Sequence, residues 1–380
     1  MCRLSFTFVA VALVSMSMAR LVEAGFVIDH NDTDIMSLSL SSINLAKDTL
    51  HIGYGHTSHG SQVTTGMTAM NTFMNGDGLN NTYPDDTFKW VDSSSPPAGV
   101  LDLDDYFKSG DLGNPDRITW AASTRDYLND PANSDVNVIM WSWCGQADTT
   151  AANIDIYLNL MNDLEEDYPD VNFVYMTGHT NGCSTTGNLF LRNQQIRDYC
   201  IANDKILYDF ADIESWDPDG EYYGDKLVTD NCDYDSDGNG TRDKNWATDW
   251  QNSHEEGTDW FDCSCAHSQP LNGNQKAYAA WALWTEIAES IPYTPGDANR
   301  DGTVDVSDLG VLASHYGTGS GAEWGDGDFT GEGCVDVCDL GLLAAHYYED
   351  SSSVAGVPEP GCVAMLLCGF LSLILSRRLR

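Results

Sequence analysis

Val136-Asn137-Val138-Ile139-Met140-Trp141-Ser142-Trp143 reads as a strong strand, and what flanks it decides the fold. Downstream, Ile154, Leu158, Met161 and Leu164 recur at helical spacing and stop before Pro169. Val171 to Met176 is a second strong strand, Leu189 to Ile201 a helix, and Lys205 to Phe210 another strand. Upstream, Leu50-His51-Ile52-Gly53-Tyr54 alternates like a strand and enters a loop, Gly55 to Ser61, before Val63, Met67, Met70 and Phe73 mark a helix. A long irregular insertion, from about Asp212 to Cys265, separates the last strand from a final helix, Lys276 to Ile287. Strands alternating with helices need crossover connections. The expected fold is therefore an α/β domain of three layers, α/β/α, around a mostly parallel sheet. Ligands on such sheets bind at the carboxyl ends of the strands.

The 380 residues leave room for more than this one domain. With 42% hydrophobic residues the chain has ample apolar surface to bury, which excludes a wholly disordered protein. Lys and Arg number 18 against 58 Asp and Glu, a net charge of -40. Such a polyanion repels phosphates and anionic lipid heads, so no nucleic-acid partner is expected; divalent cations, calcium above all, suit it.

The ends of the chain carry addresses. Residues 1–24 run from Met1-Cys2-Arg3 through an apolar stretch to Val22-Glu23-Ala24, the pattern of a secretory signal peptide, with a membrane anchor as the other reading. At the far end Val357-Pro358-Glu359-Pro360 precedes an apolar run, Gly361 to Ser376, expected to be helical, and Arg377-Arg378-Leu379-Arg380. That order resembles the PEP-CTERM sorting signal. The resemblance implies recognition by export and sorting machinery at the cell surface; a generic tail anchor is the alternative. Either way the body lies outside the cytoplasm. Its eight cysteines, Cys144, Cys183, Cys200, Cys232, Cys263, Cys265, Cys334 and Cys338, favour disulfides there, in a pairing the sequence leaves open.

Beyond the first domain, residues 25–292, a duplicated motif fills residues 293–348, and 349–380 form the linker and tail. In the first copy oxygen ligands recur at Asp297, Asn299, Asp301, Asp305 and Asp308; Gly302 permits the sharp turn and Thr303 offers its carbonyl. A short helix follows from Leu309 to Tyr316. The second copy runs Asp328, Thr330, Glu332, Cys334, Asp336 and Asp339, then a helix from Leu340 to Tyr347. Val304-Asp305-Val306-Ser307-Asp308-Leu309-Gly310 and Val335-Asp336-Val337-Cys338-Asp339-Leu340-Gly341 match almost throughout. The pair resembles a type I dockerin, a small all-α unit of two calcium loop–helix repeats. The resemblance implies calcium as cofactor and a cohesin-like scaffold as partner; the other reading is a calcium-stapled spacer. A third acidic loop, Asp233-Tyr234-Asp235-Ser236-Asp237-Gly238, lies inside the first domain, either as a structural calcium loop on Asp233, Asp235 and Asp237 or as a polar turn.

The strand ends hold the chemistry. The first delivers Gly55-His56-Thr57-Ser58-His59-Gly60-Ser61, the next Trp141-Ser142-Trp143-Cys144-Gly145-Gln146, the third Thr177-Gly178-His179-Thr180-Asn181-Gly182. Asp262-Cys263-Ser264-Cys265-Ala266-His267 precedes the last helix. A serine at a helix start, an amide donor and a late histidine form a nucleophile, an oxyanion donor and a base. This order resembles the SGNH/GDSL hydrolases over roughly residues 48–290. It implies Ser58 as nucleophile in an H-x-S-x-G block with Gly60, Gly113-Asn114 at the second block, Gln146 as oxyanion donor with Asn181 competing, and His267 as base. The residue three before His267 is Ser264, so Asp262 is the nearest aspartate for the acid.

Each residue has a second reading. Ser58 also fits a helix N-cap, and His267 a structural histidine. His56, His59, His179 and His267 also fit a metal site. Trp141, Trp143, Trp281 and Trp284 fit core packing or sugar platforms. The expectation is an exported esterase removing acyl or acetyl groups from polysaccharide, the substrate class resting on the company dockerin-like modules keep. The alternative is an inactive, calcium-dependent adhesion protein on a hydrolase-like fold.

Overall fold

The computed structural model describes residues 25–348, apart from Asp77, Asn81, Thr82, Ser109, Asp111, Trp143, Cys144, Pro292, Tyr293, Asp301 and Glu323. The signal peptide and the apolar tail helix expected from the sequence lie outside the described residues. Among those described, no helix is long and apolar enough to cross a membrane.

In chain order the first domain is β1 (Val27–Ile28), α1 (Leu40–Thr49), β2 (His51–Gly55), α2 (Ser61–Asn75), β3 (Trp90–Val91), β4 (Leu101–Asp105), α3 (Thr119–Leu128), β5 (Val138–Trp141), α4 (Ala151–Asp167), β6 (Asn172–Met176), α5 (Asn188–Ala202), β7 (Ile206–Tyr208), α6 (Phe210–Ile213), β8 (Asp233–Tyr234), β9 (Lys244–Asn245), α7 (Trp246–Ser253) and α8 (Pro270–Ser290). Seven strands form one sheet in the order β1-β7-β6-β5-β2-β4-β3, and every pairing in it is parallel. The run β4-β2-β5-β6-β7 is the order of a doubly wound sheet whose direction of growth reverses beside β2.

Period-two alternation sorts the strand side chains onto two faces, both buried. Ile52, Tyr54, Val138, Met140, Val174 and Met176 pack under α1, α2 and α8; Ile139, Trp141, Phe173, Tyr175 and Leu207 pack under α3, α4 and α5. Of the four tryptophans weighed above, Trp141, Trp281 and Trp284 are fully buried, so they are core, and Trp143 lies outside the described residues. α8 starts at Pro270, which suits a first helical position because its missing N–H would be unpaired there anyway. That start is six residues earlier than the sequence pattern suggested. The strand expected over Lys205 to Phe210 ends at Tyr208, because Asp209 caps α6 through the Asp212 N–H. The insertion is not wholly irregular: β8 and β9 pair as a hairpin and α7 follows.

α2 and α8 lie together in close contact on one face. A Cβ added at Gly66 of α2 would run into the Gly273 carbonyl of α8. Gly66 is six residues into α2 and Gly273 four into α8, so the two helices begin near one another at the carboxyl edge of the sheet. The loops entering them, one carrying Ser58 and the other His267, are therefore neighbours.

The second domain contains α9 (Val306–His315) and α10 (Val337–His346), each three residues earlier than the periodicity placed it. Asp305 and Asp336 cap them, and in both the third helical residue, Asp308 or Asp339, closes a capping box. The repeats pack symmetrically: a Cβ at Gly296 would meet Leu343 of the second helix, and one at Gly327 would meet Leu312 of the first. Val304 and Val335, the equivalent loop residues, are fully buried in one small core.

Candidate functional site

Ser58 sits exposed on the turn between β2 and α2. The N-cap of α2 is Gly60, and no side chain caps that helix, so Ser58 does not play the N-cap role. Gly60 is held tightly: its carbonyl accepts the Tyr54 hydroxyl at 3.0 Å, and a Cβ there would strike His56 and Ser142. The Gly60 N–H donates to no acceptor among the described residues. Gln146 lies on a short helical turn, Gly145–Ala147, after β5, with Gly113 packed beside its side chain. Gly113 and Gln146 are thus adjacent. Asn181 is exposed and its amide is already given to Asp148, at 3.2 Å.

His267 is exposed and holds φ at +64°, a left-handed value few non-glycine residues adopt. Its ring stacks on His59, centroids 4.4 Å apart, and His59 stacks on His179 at 4.0 Å, with the planes of that second pair 5° from parallel. Three imidazoles from three loops form one column. Neither His267 nor Asp262 makes a side-chain hydrogen bond among the described residues. The carboxylate that enters the column is Asp230, which accepts the His59 Nε2–H at 2.9 Å. The Gln62 amide of α2 donates to the Ala266 carbonyl at 2.5 Å, tying the His267 loop to the helix that follows Ser58.

Burial pushes the His179 imidazole below its ordinary range, although the Glu214 carboxylate works the other way. Its Nδ1–H donates to the Thr180 carbonyl at 2.5 Å, leaving Nε2 as an acceptor. Burial raises the Asp230 carboxyl, but the His59 hydrogen bond and the nearby imidazoles outweigh it and hold Asp230 below the usual range. His59, His179 and Asp230 bring one ligand atom each within 4.8 Å of the others. Lone pairs of parallel rings lie in separate planes, however, and cannot both aim at an ion about 2.0 Å away. His56, the fourth histidine of the metal reading, is elsewhere engaged: its Nε2 meets Asp105 at 2.6 Å and its Nδ1 the Thr57 carbonyl at 3.0 Å. With acceptors at both nitrogens, that ring is a fixed strut.

Beneath the column runs a buried polar hub. The Lys276 ammonium of α8 donates to Glu214 at 2.6 Å and to Gln62, with both charged side chains fully buried. Glu214 also accepts the Thr180 N–H at 2.7 Å. One ion pair therefore anchors the loops of Ser58, His179 and His267 together. On the far side of His179 lies a cavity of about 220 Å³, lined in part by Asn181, Phe190, Arg197, Tyr222 and Val228.

The acidic loops share one internal geometry. Asp297 accepts the Gly302 N–H at 2.9 Å, Asp328 the Gly333 N–H at 2.6 Å, and Asp235 the Gly240 N–H at 2.7 Å. These glycines all have φ between 79° and 89°. In the third loop this frame begins at Asp235 and puts Asp237, Asn239, Thr241 and Asp243 at the following odd positions. Asp233, where the sequence reading began, instead takes the side-chain amides of Asn231 and Asn245, both at 2.9 Å. Asp308 accepts from Ala298 at 2.8 Å and Asp339 from Phe329 at 2.9 Å, so each repeat's last carboxylate folds back on its loop. Thr330 follows suit, donating to Asp328, and Glu332, Cys334 and Asp336 cluster in the second loop. Asn299, Thr303 and Asp305 lie on the first loop; Asp301 is outside the described residues.

No known protein family, curated protein or solved structure matches the chain.

Sequence reasoning missed Asp230, Glu214 and Lys276 as partners. They come from the insertion, from the C-cap of α6 and from the second turn of α8, and no local spacing links them to the serine or histidine loops.

Proposed function

We propose that the chain is an exported serine ester hydrolase of the SGNH type, with Ser58 as nucleophile and His267 as general base. The observation that carries the reading is the convergence of the Ser58 and His267 loops at the carboxyl edge, beside the point where the sheet reverses its growth. Ser58 Oγ attacks the acyl carbon and its proton passes to His267. The tetrahedral oxyanion is met by the uncommitted Gly60 N–H and the Gln146 amide. The leaving alkoxide takes the proton from His267, and water, activated by the same ring, releases the acid from Ser58. In the ligand-free chain His267 is not hydrogen-bonded to Ser58; such bonds commonly tighten only with substrate. Backbone strain at His267 supports a working residue over a structural one. Asp230 fixes the His59 ring on which His267 stacks, and Asp262 stays the aspartate assigned to His267 itself.

The substrate we assign is an acyl or acetyl ester on polysaccharide, seated partly in the mixed polar and apolar cavity beside His179. Calcium in the three acidic loops completes the reading: the Asp297, Asp328 and Asp235 loops share one backbone frame, and it is the dockerin-like pair that would meet a cohesin-like scaffold.

The test is labelling with a fluorophosphonate probe. The full chain should label at Ser58, and Ser58→Ala should abolish the label. Label retained in Ser58→Ala, or absent from a well-folded wild type, sinks the proposal and leaves a binding protein on this fold.

A further inference from the structure

Cys263 and Cys265 flank one residue, Ser264, in the loop that presents His267, and their sulfurs lie 3.3 Å apart. The Cys265 N–H donates to the Cys263 carbonyl at 2.9 Å, a tight turn that brings both side chains to one side. Both sulfurs pack over the bare Cα of Gly273 in the first turn of α8, where a Cβ would strike each of them. A disulfide bond is about 2.05 Å long, so a closure of roughly 1.3 Å would join them. The other polar neighbours of the Cys263 sulfur stand farther off, the Asn274 amide at 3.7 Å and the Pro270 carbonyl at 3.5 Å.

We propose that Cys263 and Cys265 form a reversible disulfide latch that holds the His267 loop in its working conformation. The role in activity rests on the hydrolase reading; the bond itself does not. The hydrogen bond between the two sulfurs, with the Lys276 ammonium near Cys265, holds Cys265 below the usual thiol range and Cys263 above it. Cys265, the more accessible of the two, is the attacking thiolate. It attacks a small-molecule disulfide such as oxidised glutathione, forming a mixed disulfide and releasing one thiolate. The Cys263 sulfur, giving up its proton, then attacks the Cys265 sulfur and expels the second. Two cysteine thiols are oxidised and one external disulfide is reduced to two thiols. A ring spanning one intervening residue constrains little unfolded-chain entropy, so its value is local: it fixes the backbone between Asp262 and His267. Strained, short-span disulfides are also the readily reduced ones, which makes the latch responsive to the redox state around it.

The rival partner is Cys232, whose sulfur sits 3.7 Å from the Ser268 hydroxyl beside the same loop. Trypsin separates the possibilities. Asn245–Lys276 contains Cys263 and Cys265 and no other cysteine, whereas Leu227–Arg242 contains Cys232. Full-length protein is equilibrated with oxidised glutathione or with dithiothreitol, alkylated under denaturing conditions and digested. The oxidised sample should give an unalkylated 245–276 peptide lighter by two hydrogens, and the reduced sample the same peptide alkylated twice. Two alkylated thiols after oxidation, or a cross-link to 227–242, overturn the pairing.

Amide hydrogen exchange across residues 264–268 then reads the latch without any substrate. Exchange should be at least about tenfold slower in the oxidised form, and Cys263→Ser should exchange at the reduced rate under both conditions. Equal exchange in the two redox states overturns the latch. Fluorophosphonate labelling should fall by at least about fivefold on reduction. Labelling absent in both states, with slowed exchange intact, refutes the hydrolase reading alone; labelling equal in both refutes the link between latch and activity.

Discussion

Replacing Lys276 by Met tests the hub that binds the three site loops. The lysine is fully buried, lies 3.6 Å over the Phe210 ring and donates to Glu214 at 2.6 Å. Methionine fills much the same volume, so little cavity forms. What is lost is the charge, leaving Glu214 with only the Thr180 N–H at 2.7 Å and hydroxyl at 3.1 Å. Removing one partner of a buried pair costs about 3–5 kcal/mol, because the survivor is left uncompensated in a medium that solvates it poorly. At about 2–4 °C per kcal/mol for a domain of this size, Tm should drop by roughly 6–20 °C. Adding Glu214→Gln should return part of the loss, since the pair, once gone, leaves no buried charge. Scanning calorimetry on wild type, both single variants and the double variant measures the cycle. A drop under about 3 °C for Lys276→Met, or strict additivity in the double variant, would refute the claim that these charges compensate one another.

Gly66→Val should push α2 off α8 and destabilise the domain by about 1–3 kcal/mol or more, read by urea denaturation; an unchanged midpoint would remove the close helix contact as the reason the loops meet. His179 should make the domain acid-sensitive. Its folded pKa lies below the ordinary 6.5, so the unfolded chain binds protons first, and stability falls as pH drops from about 6.5 towards the folded value. In His179→Gln that part of the slope should vanish, and an unaltered slope between pH 6.5 and 5 would assign it elsewhere. Calcium chelation should lower the Tm of the dockerin-like module, and Asp308→Ala should shrink the chelator's effect there, with the second loop keeping the remainder; a melting curve indifferent to chelator removes calcium from the account.

The βα alternation and the duplicated acidic loop–helix unit were legible from the chain because each is local. A buried strand announces itself by apolar run and a helix by its 3.6 period, and the duplicated Val-Asp-Val-x-Asp-Leu-Gly segment repeats within a few dozen residues. Short edge strands were not legible: β1 and β3 have two residues each, too few to carry a period. The loop frame beginning at Asp235 depends on which glycine N–H reaches which carboxylate, and a string of alternating aspartates fits two frames equally well. Local spacing thus determined the elements and the residue types at the strand ends. Only the tertiary structure decided which of them meet, because the approach of the Ser58 and His267 loops depends on two glycines letting α2 and α8 come to backbone contact. That is a distance set by packing across more than two hundred residues of chain.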